Sequence, residues 1–128
     1  VSAYVAAQIP EKIKGLILWY PAFVIPDDAK RRFEENENTC FGQQLSPDYN
    51  KVAKDIDIFN VITVYKKSVM IIHGENDNCV PISYSEQAEK VYENVKLIRI
   101  PKAGHGFDGK DSQFAREQSI EFIRKNLK

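Results

Sequence analysis

Two short runs carry residue types that can move a proton. In His73-Gly74-Glu75-Asn76-Asp77 a glycine turn closes an apolar stretch, and a carboxylate stands three residues beyond that glycine. In Gly104-His105-Gly106-Phe107 a histidine sits between two glycines, which let a loop bring the imidazole close to other backbone. Histidine, with an unperturbed pKa of about 6.5, suits proton exchange near neutrality. Each run has an ordinary structural explanation: Asp77 as a turn-forming residue, His105 as a surface-loop histidine. Together they place an acid and then a base after successive apolar segments. That pair fits a division of labour in which His105 takes a hydroxyl proton while Asp77 holds the ring tautomer and stabilises the imidazolium. His73 ends a buried segment and reads as structural.

The elements that would position these groups follow from the hydrophobic pattern. Gly15-Leu-Ile-Leu-Trp-Tyr20, Val69-Met-Ile-Ile-His73 and, more weakly, Lys96-Leu-Ile-Arg-Ile100 are apolar runs closed by Pro21, Gly74 and Pro101. The unalternating runs fit strands buried on both faces of a parallel sheet. Val1 to Gln8, rich in small residues and stopped by Pro10, predicts a helix lying close to that sheet. Ser83 is placed to cap a helix through about Tyr92, and Asp111 one reaching Leu127 with Phe114, Phe122 and Ile123 inward. The resulting β-α-β-α alternation signals an α/β sheet. The stretch of about 22–67 interrupts it and is far longer than the roughly 2–6 residues that join a strand to a helix. Carrying the charge-dense Asp27 to Glu37, it reads either as a solvated helical excursion or as a lid over a pocket.

Length and composition set outer bounds. With 128 residues, 43% of them hydrophobic and 28% charged, one folded domain is expected. Lys+Arg and Asp+Glu each number 18, so no net charge favours nucleic acid or an anionic membrane, and a small-molecule partner is expected instead. Cys40 and Cys79 lack the paired spacing of a zinc site, no metal or organic cofactor is expected, and free thiols suit a reducing cytoplasm. The apolar runs are far short of the roughly 20 residues that span a bilayer, and the start lacks a signal peptide's basic residues. Val1, opening directly on helix-forming residues, suggests a truncated chain.

The segments WYPAF (19–23), IIHGENDNCVP (71–81) and IPKAGHGF (100–107) resemble the second half of bacterial α/β-hydrolases of the cinnamoyl or feruloyl esterase group, over essentially the whole chain. The order of acid then base is that of α/β-hydrolases, in which a serine precedes both. The resemblance implies the C-terminal part of an α/β-hydrolase fold, with about three parallel strands, flanking helices and an inserted lid. It also implies a serine esterase acting on hydroxycinnamoyl or other small acyl esters through an acyl-enzyme. Asp77 and His105 match the family's acid and base. Asp28 and Tyr49 match an aspartate early in the insertion and a tyrosine late in it that bind the phenolic end of the acyl group. Without the resemblance, Asp28 is a helix cap and Tyr49 an amphipathic anchor.

One part of the family pattern is missing. No G-x-S-x-G occurs, and Ser2, Ser46, Ser68, Ser83, Ser85, Ser112 and Ser119 all lack the glycine-flanked setting of a nucleophile elbow. The nucleophile half is therefore expected upstream, and the residues present should not catalyse alone. Two other readings stay open: an acyl-aminoacyl or dipeptidyl peptidase-like hydrolase with the same triad, and a non-catalytic binding domain. In the family topology the strand matching Gly15 to Tyr20 pairs with the strand entering the elbow. Its absence would leave an apolar edge that seeks another chain, burying Trp19 in a homo-oligomer.

Overall fold

The structure, a computed structural model, describes residues 1–126. Three parallel strands, β1 (Leu16–Trp19), β4 (Val69–Gly74) and β5 (Val95–Ile100), form one sheet in the order β1-β4-β5. Leu16 pairs with Val69 and Val69 with Val95, so all three strands end at the same sheet edge. Every residue of the central β4 is buried, as expected of an unalternating strand. Because side chains alternate along a strand, β4 feeds two cores. Val69 and Ile71 pack with Leu16, Leu18 and Leu97 beneath helix α1 (Ser2–Gln8) and helix α5 (Ser83–Val91), with Ala3, Ala6 and Ala88 at the contacts. Met70 and Ile72 face the opposite way, toward Ile100, Ala103 and Ala115 of helix α6 (Gly109–Asn126).

Three expected details differ. Ser83 is the first helical residue of α5 and not its cap: Ile82 before it is already helical, with φ −57° and ψ −23°, and no side chain caps the end. Asp111 lies inside the first turn of α6, since that helix starts at Gly109 and Ser112 N–H already bonds the Asp108 carbonyl at 3.0 Å. The carboxylate there meets the positive end of the helix dipole. On α6 only Phe122 of the three expected residues packs on the core, while Phe114 and Ile123 are 42% and 43% exposed. The stripe that meets the sheet runs through Ala115, Ser119 and Phe122, and at 3.6 residues per turn Phe114 and Ile123 lie roughly a quarter turn to either side of it. Leu127, the expected end of this helix, lies outside the described residues.

Between β1 and β4 the chain forms α2 (Ile25–Glu34), a two-stranded hairpin of β2 (Thr39–Cys40) and β3 (Gln43–Gln44), α3 (Tyr49–Ala53) and α4 (Ile58–Val61). Arg32 fixes this excursion from inside. Its buried guanidinium donates through Nε to Asn50 Oδ1 at 3.0 Å, and Asn50 Nδ2 donates to the Glu37 carbonyl at 2.8 Å. Outside contacts anchor it to α5: Tyr84 Oη donates to Asp27 Oδ2 at 2.6 Å, and the Phe59 ring stacks on Tyr84. That bond to a carboxylate, with burial, pushes the Tyr84 phenol up to about 12. Among the described residues no helix is long and apolar enough to cross a membrane.

Candidate active site

Parallel strands deliver their following loops to one edge, where ligands of open α/β sheets gather. The loops after β4 and β5 are joined there by backbone: Glu75 N–H bonds the Ile100 carbonyl at 3.1 Å, and Asn76 N–H bonds the Ala103 carbonyl at 2.9 Å. Gly74 makes this approach possible. A Cβ at position 74 would stand 2.3 Å from the Ala103 carbonyl oxygen.

Asp77 and His105 meet across that junction, with Oδ2 of the carboxylate 2.9 Å from Nδ1 of the ring. A carboxylate only accepts, so Nδ1 carries the proton and a neutral His105 keeps Nε2 bare. The Asp77 side chain is fully buried, whereas that of His105 is 38% exposed. Oδ1 of Asp77 accepts from the N–H groups of Cys79 and Val80 at 2.9 and 2.8 Å. Burial raises the Asp77 carboxyl, but the Val80 N–H, the His105 ring and the Cys79 N–H together outweigh it and hold the group below its ordinary value. The acid is thus kept ionised beside the ring it orients.

His73, read from the sequence as structural, is buried behind Asp77 and braces it. Its Nε2 lies 2.9 Å from the Val80 carbonyl and 3.1 Å from Asp77 Oδ2. Both partners only accept, so Nε2 carries a proton, and Nδ1 lies 2.6 Å from the Ser85 hydroxyl. Ser85 and His73 are both completely buried. Nothing in the spacing of the sequence pairs them.

A third loop, after β1, brings Tyr20, which was not anticipated in this role. Its ring centroid lies 4.8 Å from that of His105 and 4.9 Å from that of Phe107. The sequence signals were its place at the end of an apolar run and within the WYPAF segment (19–23). Beside His105 opens a cavity of about 860 Å³, whose walls include Tyr20, Phe23, Ile25, Tyr49 and Val52. Tyr49 therefore shares a cavity with His105, while Asp28, in the first turn of α2, does not line it. Trp19, expected on an open face, is half-buried: its Nε1 donates to Ser119 Oγ at 3.0 Å and its ring packs on Phe107. Among the described residues, Asp77, Cys79 and His105 are grouped closely enough to take a metal.

The same fold recurs in solved structures. Est1E from Butyrivibrio proteoclasticus superposes with a TM-score of 0.86 at 29% identity, over 98% of this chain and 56% of that one. The fold is that of the α/β hydrolases. A second Est1E structure, with ferulic acid bound, gives 0.85 over 98% of this chain and 54% of that one, again at 29% identity. α/β-Hydrolase domain-containing protein 10 from mouse shares the fold at 17% identity, with a TM-score of 0.71 over 98% and 57% of the two chains. The chain spans little more than half the length of these structures and corresponds to the C-terminal part of the fold. No protein-family model matches this sequence, and no curated protein does.

Proposed function

We propose that this chain is the acid-and-base part of a serine carboxylic ester hydrolase, acting on hydroxycinnamoyl or other small acyl esters. The observation that carries this reading is the 2.9 Å bond between buried Asp77 and His105, beside an apolar cavity. His105 Nε2 takes the proton of a serine supplied by residues outside this sequence as Oγ attacks the ester carbonyl. It returns that proton to the departing alkoxide, leaving an acyl-enzyme, and then repeats both transfers with water. Tyr49 on the cavity wall contacts the acyl group, and residues 22–67 serve as the lid. The likeness to a protein crystallised with ferulic acid favours an ester of that class over an aminoacyl substrate.

The test is hydrolysis of ethyl ferulate by the complete protein. His105→Ala should lower turnover by about four orders of magnitude with the fold intact. The 128-residue chain alone should be inactive. Hydrolysis by that chain alone, or a complete protein indifferent to His105→Ala, would refute the assignment.

The reading extends to assembly. β1 lies at one end of the strand order, and its four residues carry no charge to blunt an unpaired edge, whereas the opposite edge strand β5 carries Lys96 and Arg99. The chain self-associates along β1. Sedimentation at micromolar concentration should show a dimer or larger species that an Ile17→Lys change on the half-buried face of β1 weakens; a monomer throughout overturns the idea.

A further inference from the structure

The Cys79 side chain has no evident structural duty: it is exposed, unbridged, and its thiol makes no hydrogen bond among the described residues. It nevertheless stands beside the proposed acid and base. One carboxylate oxygen of Asp77, one ring nitrogen of His105 and the Cys79 sulfur all lie within 4.8 Å of one another. We propose that these three residues bind a thiophilic divalent cation, of which zinc is the type, and that the cation switches the site off.

The geometry requires only a small contraction. Zinc–ligand bonds of about 2.0–2.3 Å in a tetrahedron leave ligand atoms roughly 3.3–3.8 Å apart. The least mobile member is already fixed, because Asp77 is buried and held by the N–H groups of Cys79 and Val80 and by the His73 ring. Such outer contacts orient a metal-binding carboxylate. The two members that must move are the exposed ones, Cys79 and His105, each on a loop. Between Asp77 Oδ2 and His105 Nδ1 there is now a proton spanning 2.9 Å, and a cation replacing it needs those atoms only a few tenths of an ångström further apart.

Charge and softness favour the same class of ion. A thiolate and a carboxylate neutralise a dication, with neutral imidazole as third ligand and water as fourth. A sulfur donor selects zinc or cadmium over magnesium or calcium. Binding releases one proton, from the thiol, while the His105 Nδ1 proton moves to Nε2 and the imidazole stays neutral. Spacing in the sequence does not reveal the site, since Cys79 and His105 meet only through the parallel strands. The switching role rests on the hydrolase reading above; the binding does not.

The experiment is titration of the reduced 128-residue chain with Co²⁺, followed by competition with Zn²⁺. One equivalent of cobalt should produce a thiolate-to-metal charge-transfer band that zinc abolishes. Cys79→Ser should remove the band and weaken zinc binding beyond the about 10–100-fold typical of losing an outer-shell partner, and His105→Gln should also weaken it. Cys40→Ser should leave both unchanged. Absence of the band, its survival in Cys79→Ser, or its loss in Cys40→Ser would overturn the site. In the complete protein, zinc should inhibit ester hydrolysis reversibly by chelator and should inhibit Cys79→Ser much less; equal inhibition of both refutes the switch. A protein that binds cobalt through Cys79 but hydrolyses no ester refutes the hydrolase reading and leaves the metal site standing.

Discussion

The ring of Tyr20 lies against the ring of His105, 4.8 Å between centroids, on a backbone whose φ is +38°. That left-handed conformation costs a non-glycine residue about 1–3 kcal/mol and persists only where the surroundings enforce it. Here the Tyr20 N–H is held by the Ile72 carbonyl at 2.8 Å, and the ring is set edge-on against Phe107. Tyr20 thus limits where the imidazole can swing. Tyr20→Phe should preserve ester turnover by the complete protein, whereas Tyr20→Leu should lower kcat by about 10–100-fold, the scale of a misplaced reacting group. Steady-state kinetics of the two variants decide between a positioning ring and an indifferent one.

Asp77 couples the site to stability. Its carboxyl sits below its ordinary value in the fold, chiefly because the Val80 N–H and the His105 ring outweigh burial. A group with a depressed folded pKa stabilises fully above its unfolded value of about 3.9 and loses that contribution as pH falls through the folded pKa. Urea denaturation of the 128-residue chain should therefore show a loss of stability on acidification that is smaller in Asp77→Asn. In the complete protein the same change should cut turnover by about 10⁴-fold, because an amide no longer enforces the His105 tautomer.

Two substitutions away from the reacting groups should move stability in opposite directions. Gly74→Ala forces a Cβ to 2.3 Å from the Ala103 carbonyl oxygen, so the loops bearing Asp77 and His105 must part, at a cost of about 1–3 kcal/mol or more. Tyr92 buries a hydroxyl with no partner among the described residues, and burial pushes that phenol up. Tyr92→Phe should stabilise by about 1 kcal/mol, since it removes an unsatisfied polar group. Thermal unfolding of both variants checks the two signs.

Tyr49 and Asp28 should behave differently. Tyr49 lines the cavity shared with His105, and Asp28 does not. Tyr49→Phe should raise KM for ferulate esters more than for acetate esters. Asp28→Ala should do so only if the first turn of α2 moves toward the cavity when substrate is bound. Equal effects of Tyr49→Phe on both ester classes would exclude acyl recognition.

What the sequence determined by itself was the sheet and the pair at its edge. Unalternating apolar runs have few places to go except between two covered faces, so β1, β4 and β5 were legible, with boundaries moved by about a residue. Two parallel strands followed by an acid and a base leave little choice about which edge both reach. Helix ends were less legible, because α5 starts after Ile82 without the side-chain cap that marks a start, and α6 starts at Gly109, two residues before the expected Asp111 cap. Tertiary structure alone decided the rest. His73 and Ser85 support Asp77 from a strand and a helix 12 residues apart, Tyr20 reaches His105 across the sheet, and Cys79 joins them from a turn. Contacts of that kind depend on how loops pack over a shared edge. Local hydrophobic periodicity carries no record of them.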